Sequence, residues 1–193
     1  MPSTDTLASS QLKQQTASAH RGLDTQPLLR ELLSPQLTLA RYVEALTVFY
    51  GFYSDYESLT LRRCAGLGLD LQVRRKLPLL ERDFAALGTS LPSRQSVGLG
   101  VAIADQDQAL GMLYVMEGST LGGQVIARCL SQSLGLTESY GAAYFHSYGS
   151  AVVPRWQETQ AALNAFQAHG GSVQQMVATA ILAFTDLESR LKH

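Results

Sequence analysis

Apolar residues along the chain recur at intervals of three and four, and no segment sustains the period-two alternation of a half-buried strand. The pattern predicts an all-α chain punctuated by single Gly and Pro residues. A first helix over Thr6–Leu23 places Leu12, Thr16, Ala19, His20 and Leu23 on one face and is ended by Gly22 and then Pro27. A second over Thr38–Arg62 carries Tyr42, Leu46, Phe49, Tyr53 and Tyr56. Asp70 is the expected N-cap of a third, whose Val73, Leu77, Leu80, Phe84 and Leu87 lead to a stop at Gly88. Pro78 inside that stripe predicts a kink or a late start. A long apolar stretch over Ala104–Leu134 has Gly135 as its stop. A short helix near Ser139–Ser147, another over Pro154–Ala168 and a last over Ser172–Leu191 complete the set, and one domain over residues 1–193 is expected at this length.

Charge narrows the function classes. With 15 Lys+Arg against 16 Asp+Glu, the chain has no basic field to neutralise a run of phosphates or to hold a membrane surface, so neither nucleic acid nor membrane is an expected partner. No stretch approaches the roughly 18 uninterrupted apolar residues of a spanning helix. Met1-Pro-Ser-Thr-Asp-Thr6 lacks the basic-then-apolar order of a secretory signal. Cys64 and Cys129 form no C-x-x-C pair, so neither a disulfide framework nor a zinc site is indicated and a reducing cytoplasm is the expected setting.

The informative segment is Leu110–Leu130, which is apolar enough for a buried helix yet contains Gly111, Gly118, Gly122 and Gly123. Each interior Gly costs about 1 kcal/mol relative to Ala, so something should compensate. Gly111, Gly118 and Gly122 are separated by seven and four, which stacks them on one helical face. A face without side chains lets something flat approach the backbone. Alternatively, Gly118, Ser119, Gly122 and Gly123 mark a close helix–helix crossing. A phosphate loop is disfavoured, because no strand precedes the glycines and no G-K-[ST] follows, and Gly98-Leu-Gly-Val is too short for a nucleotide fingerprint.

Of the four histidines, His193 ends the chain and His169 precedes Gly170-Gly171 at a helix end, where an imidazolium meets the dipole favourably. His146 sits among aromatics. His20 lies on the first helix's apolar face, with Lys13 seven residues earlier, hence roughly 10 Å along the same face. A neutral imidazole for iron and a cation for propionates is the pairing a haem needs, although the same spacing occurs on ordinary amphipathic helices.

Two motifs carry a resemblance: Leu12-Lys-Gln-Gln-Thr-Ala-Ser-Ala-His20-Arg-Gly-Leu-Asp24 and Leu113-Tyr-Val-Met-Glu-Gly-Ser-Thr-Leu-Gly-Gly-Gln-Val-Ile126. They resemble the haem oxygenase family, particularly its bacterial biliverdin-producing branch, and the all-helical layout extends the similarity over almost the whole chain. The resemblance implies an all-α fold with haem between the N-terminal helix and the glycine-rich helix. It makes His20 the axial ligand of the haem iron, Lys13 a propionate-binding lysine, and Gly118 and Gly122 the closest distal backbone contacts. Gly118, Ser119 and Gly122 become the catalytic segment. Arg155, in Pro154-Arg-Trp-Gln, falls near the region where family members present further basic residues.

The implied chemistry is cleavage of haem to biliverdin, CO and Fe²⁺ with O₂ and electrons from a ferredoxin or separate reductase. Supply to a biliverdin-using phytochrome or release of iron is the implied destination. One departure stands out: many relatives place an aspartate in the glycine-rich helix to organise distal water, and here Gly118-Ser119-Thr120 occupies that neighbourhood. Glu117 points about 100° away from Gly118, which leaves Glu117, a backbone carbonyl or Ser119 for the task. The competing readings are a haem carrier or sensor of the same fold, and a cofactor-processing enzyme similar to thiamin-degrading proteins. The latter would show a catalytic cysteine or paired carboxylates, and the context of Cys129 offers no support for it.

Overall fold

The structure, a computed structural model, describes residues 6–93 and 98–192; His193 and the Met1–Asp5 part of the leader reading lie outside the described residues. The described chain is helical: α1 (Ala8–Gln15), α2 (Ala17–Asp24), α3 (Pro27–Glu31), α4 (Leu39–Arg63), α5 (Leu77–Ala86), α6 (Gln106–Leu134), α7 (Ala143–His146), α8 (Val152–Ala168) and α9 (Val173–Arg190), with a 3₁₀ turn at Gly149–Ala151 before α8. One apolar core gathers side chains from Ala8 in α1 to Leu191 just past α9.

The centre of the molecule is α6. Asp105 starts it by accepting from Gln108 N–H at 2.9 Å, and Gly135 ends it at φ +68°, a left-handed conformation that glycine adopts without Cβ strain. It packs most extensively on α9 and also meets α4, α7 and α8, while α1 and α2 lie across α9. The α6–α9 crossing is set at Gly111, where a Cβ would lie 2.2 Å from the Met176 carbonyl oxygen. Backbone packs directly on backbone there, so one of the four glycines serves the helix crossing rather than a ligand.

The predicted first helix divides at Thr16. Its hydroxyl donates to the Leu12 carbonyl at 2.7 Å, a back-bond that bends helices, and the chain resumes as α2. Gly22 does not stop the helix, which runs through it to Asp24, and Pro27 opens the short α3 that the periodicity did not reveal. The third helix starts late, at Leu77, with Pro78 in its first turn, where a missing N–H costs nothing. Asp70 is therefore not its cap. It closes a turn onto Gln72 N–H, and Val73 is 40% exposed. The capping carboxylate comes from another helix: Glu57 of α4 accepts from the backbone N–H groups of Lys76 and Leu77. The helix expected near Ser139–Ser147 shrinks to α7, and its first N–H groups, those of Ala143 and Tyr144, donate to the fully buried Asp83 carboxylate of α5 at 2.6 and 2.8 Å. Tyr42 of α4 adds a hydrogen bond to the Gly141 carbonyl at 2.6 Å. These contacts fix Tyr144 and Phe145.

Because the Gly111 site has no room for a methyl group, Gly111→Ala should lower unfolding free energy by about 1–3 kcal/mol despite its better helix propensity, as measured by urea denaturation.

Candidate functional site

A cavity of about 150 Å³ opens between α2 and α6. His20 and Asp24 of α2 stand on one side and Gly118, Ser119, Thr120, Gly122 and Gly123 of α6 on the other. Its remaining walls are apolar, from Leu23, Leu29, Phe49, Ile126, Phe145 and Leu187, with Tyr144 among them. The structure thus brings together four residues singled out in the sequence, His20, Gly118, Ser119 and Gly122.

His20 is oriented from both ends. Its Nδ1 lies 2.9 Å from Asp24 Oδ2, one helical turn on, and its ring packs edge-on against Phe184 at 5.6 Å. A proton on Nδ1 directed at that carboxylate leaves the Nε2 lone pair free, which is the tautomer a metal requires. The side chain is 58% exposed, so the nitrogen is accessible. Asp24 was part of the motif in the sequence without a role, and its i,i+4 spacing from His20 was the signal. Among the described residues no group of three or more His, Cys, Asp or Glu could hold a metal ion.

The glycines divide by task. A Cβ at Gly122 would meet nothing within 4 Å, and one at Gly118 would only touch the Trp156 ring at 3.7 Å, so both leave the α6 backbone open to the cavity. At Gly123 a Cβ would lie 3.1 Å from the Phe145 carbonyl oxygen, which makes this glycine a packing residue of the α6–α7 contact. The crossing reading thus holds at Gly123, and Gly111, which the spacing placed on the open face, packs on α9 instead, while Gly118 and Gly122 stand open.

Glu117 faces the other way. It is 1% exposed and accepts from the buried Arg74 guanidinium and, at 2.8 Å, from the Tyr148 hydroxyl. Arg74 also donates to Thr159 Oγ1 and to Glu158, both at 2.9 Å, tying α6 to α8. Lys76 Nζ stands 3.6 Å from Glu117 and 3.7 Å from the centre of the Tyr148 ring, without a direct hydrogen bond. Burial pushes its ammonium down to about 8, against the pull of Glu117. With its oxygens engaged in this cluster, Glu117 has none left for the cavity. The hydroxyl-bearing residues that do line it are Ser119, Thr120 and Tyr144, with Tyr53 of α4 behind them; in the sequence Tyr53 was legible only as an apolar helix position and Tyr144 was not singled out.

Lys13 lies in the last turn of α1, exposed and without an ion pair among the described residues, and does not line the cavity. Arg155 stands outside the cavity too, with its guanidinium bound to both oxygens of Glu158 at 3.2 and 3.0 Å. His169 has Nδ1 2.7 Å from the Ala165 carbonyl at the end of α8, and His146 keeps Nε2 buried without a partner away from the cavity lining. Cys129 is unpaired and Cys64 is buried, which pushes its thiol up to about 12.

Three comparisons bear on this arrangement. The family model described as heme oxygenase matches residues 6–189. A heme oxygenase of Xanthomonas campestris pv. campestris is 44% identical over 66 residues, a match spanning 33% of this chain and 36% of that relative's length. The fold superposes with a TM-score of 0.83 on the NO- and CO-bound heme oxygenase of Neisseria meningitidis, at 19% identity, covering 97% of this chain and 91% of that one. Heme oxygenase-1 of Synechocystis, solved in complex with heme, gives a TM-score of 0.75 at 15% identity, with 96% and 90% covered.

The polar cluster behind α6 generates two expectations. Arg74→Met should cost about 3–5 kcal/mol, because it strips Glu117 of its main partner inside the protein. For Lys76 the folded state releases the proton near pH 8 and the unfolded chain holds it to the ordinary lysine value of 10.5, so unfolding takes up a proton in between. Unfolding free energy should therefore rise with pH from about 8 to about 9, where ionisation of the Cys64 thiol in the unfolded chain begins to oppose it, followed by the tyrosines. Urea denaturation across that window should show the rise in the wild type and its loss in Lys76→Met.

Proposed function

Since the chain belongs to the haem oxygenase family, we propose that it cleaves haem oxidatively to biliverdin, CO and Fe²⁺, using O₂ and electrons delivered by a ferredoxin or reductase. The observation that carries this reading is the opposition of His20, with Nε2 free, to the bare backbone of Gly118 and Gly122 across one apolar slot. Haem, when bound, is both the substrate and the group that activates O₂.

The residues present fit that group. Asp24 holds His20 in the tautomer that binds iron, and the open Cβ directions at Gly118 and Gly122 leave room for a planar ring close to α6. Leu29, Phe49, Ile126, Phe145 and Leu187 supply apolar contact and keep water from the macrocycle. The slot is narrower than the roughly 300–1,000 Å³ usual for ligand pockets, so haem uptake widens it. In this reading Lys13, unpaired and seven residues before the ligand, meets a propionate, and Ser119 belongs to the catalytic segment with Gly118 and Gly122. Arg155 reaches a propionate only by leaving Glu158. The unpaired cysteines accord with a reducing cytoplasm. Among the described residues no helix is long and apolar enough to cross a membrane. A biliverdin-using phytochrome remains the proposed recipient for the product.

The test is spectroscopic. Ferric haem added to the protein should give a Soret band of a histidine-ligated complex, and reductant under air with a peroxide scavenger should convert it to biliverdin absorption. His20→Ala should lose the axial-ligand spectrum, and Gly118→Leu should block or displace the haem. Stable haem without ring opening would leave a carrier or sensor, and absence of binding would remove both.

A further inference from the structure

Three hydroxyl groups from three helices meet at the wall of the cavity. Ser119 Oγ, on α6, donates to the Met116 carbonyl at 2.8 Å. The Tyr53 hydroxyl, from α4, lies 3.4 Å from Ser119 Oγ and 3.3 Å from the same carbonyl. The Tyr144 hydroxyl, from α7, interacts with both Tyr53 and Ser119, and the two tyrosine rings pack edge to face at 5.6 Å. Ser119 and Tyr144 line the cavity, whereas Tyr53 is buried behind them. Asp83 holds the backbone of Tyr144 from below, so this ring has little freedom to leave.

Counting protons shows what the cluster offers. A hydroxyl donates one hydrogen bond and accepts two. Ser119 has given its proton to the Met116 carbonyl, and Tyr53 donates to the same carbonyl, with Ser119 Oγ and the Tyr144 hydroxyl as its other neighbours. The Tyr144 proton is the one that the Met116 carbonyl does not draw, and from the cavity wall it can turn to a molecule in the cavity, with the Ser119 and Tyr53 oxygens as its alternative acceptors. Burial pushes both phenols upward, Tyr144 well above its ordinary value, so the cluster stays neutral and keeps its protons at any working pH. Glu117, the nearest carboxylate in sequence, is committed to Arg74 and Tyr148 on the opposite side of α6.

We propose that Tyr144, backed by Ser119 and Tyr53, is the hydrogen-bond donor to the small ligand or water held on the α6 face of the haem. The assignment rests on haem binding through His20 as proposed above. It differs in kind from a carboxylate, which accepts only and must work through a water: a neutral phenol donates directly and adds no charge to the pocket. Ser119 and Tyr53 act as positioning residues that hold the phenol oxygen in register.

Fluoride and carbon monoxide test it without turnover. Fluoride binding to the ferric haem complex should weaken about fivefold in Tyr144→Phe, the loss expected for one hydrogen bond of about 1 kcal/mol. The stretching frequency of CO on the reduced complex should move to higher wavenumber, as it does when a donor is withdrawn. Ser119→Ala leaves the aromatic wall whole and should shift both readouts in the same direction, which covers the case in which Tyr144→Phe loads haem poorly. Tyr140→Phe, at an exposed site outside the cavity lining, should change neither. Normal haem loading through His20 with unchanged fluoride affinity and CO frequency in Tyr144→Phe and Ser119→Ala would overturn the assignment alone. A wild-type protein that takes up no haem would overturn it together with the functional reading.

Discussion

The rotation of α6 about its own axis is fixed by the pair Glu117 and Arg74. Both side chains are buried, and an unpaired charge at that depth is costly enough that the helix has no other comfortable orientation. With Glu117 held toward α8, Gly118 follows about 100° around the helix and Gly122 lies close to it, so both are turned to the cavity. Ser119, a further 100° on, meets α4 and α7. The three faces of one short stretch thus serve a charge cluster, an open wall and a hydroxyl group, and each depends on the first being in place.

Much of this was legible in the sequence, for identifiable reasons. Helices with a continuous apolar period and a local cap, such as α4, α6 and α9, appear where the pattern places them, because the signals that define them lie within a few residues of one another. The opposition of His20 to Gly118 and Gly122 was legible through motif order rather than spacing. What stayed hidden was information held on a distant segment. Glu57 caps α5 from 20 positions away from Leu77, and Asp83 caps α7 from 60 positions away from Ala143, so neither start could be located from local residues. Asp70 had the right residue type at the right place for a cap and formed a turn instead.

The glycine-rich helix shows the same limit in another form. A helical period says which residues share a face and nothing about what lies opposite. Gly111 meets the Met176 carbonyl, Gly123 meets the Phe145 carbonyl, and Gly122 meets open space, although all are the same residue in one helix. Likewise Tyr53 and Phe49 share an apolar stripe on α4, yet only the tyrosine brings an oxygen that reaches α6. Aromatic spacing alone does not separate a packing ring from a polar one.

The positions of Gly111 and Gly123 have a mechanical consequence. Each brings another segment's backbone carbonyl hard against α6, so the helix is clamped at two points, and the stretch between Gly118 and Gly122 is the part left unsupported by such contacts. Glycine weakens that stretch against bending. A beam held at both ends and thinned in its middle yields locally, so the wall can bow outward around a broad, flat guest while the α6–α9 joint that organises the rest of the molecule stays still.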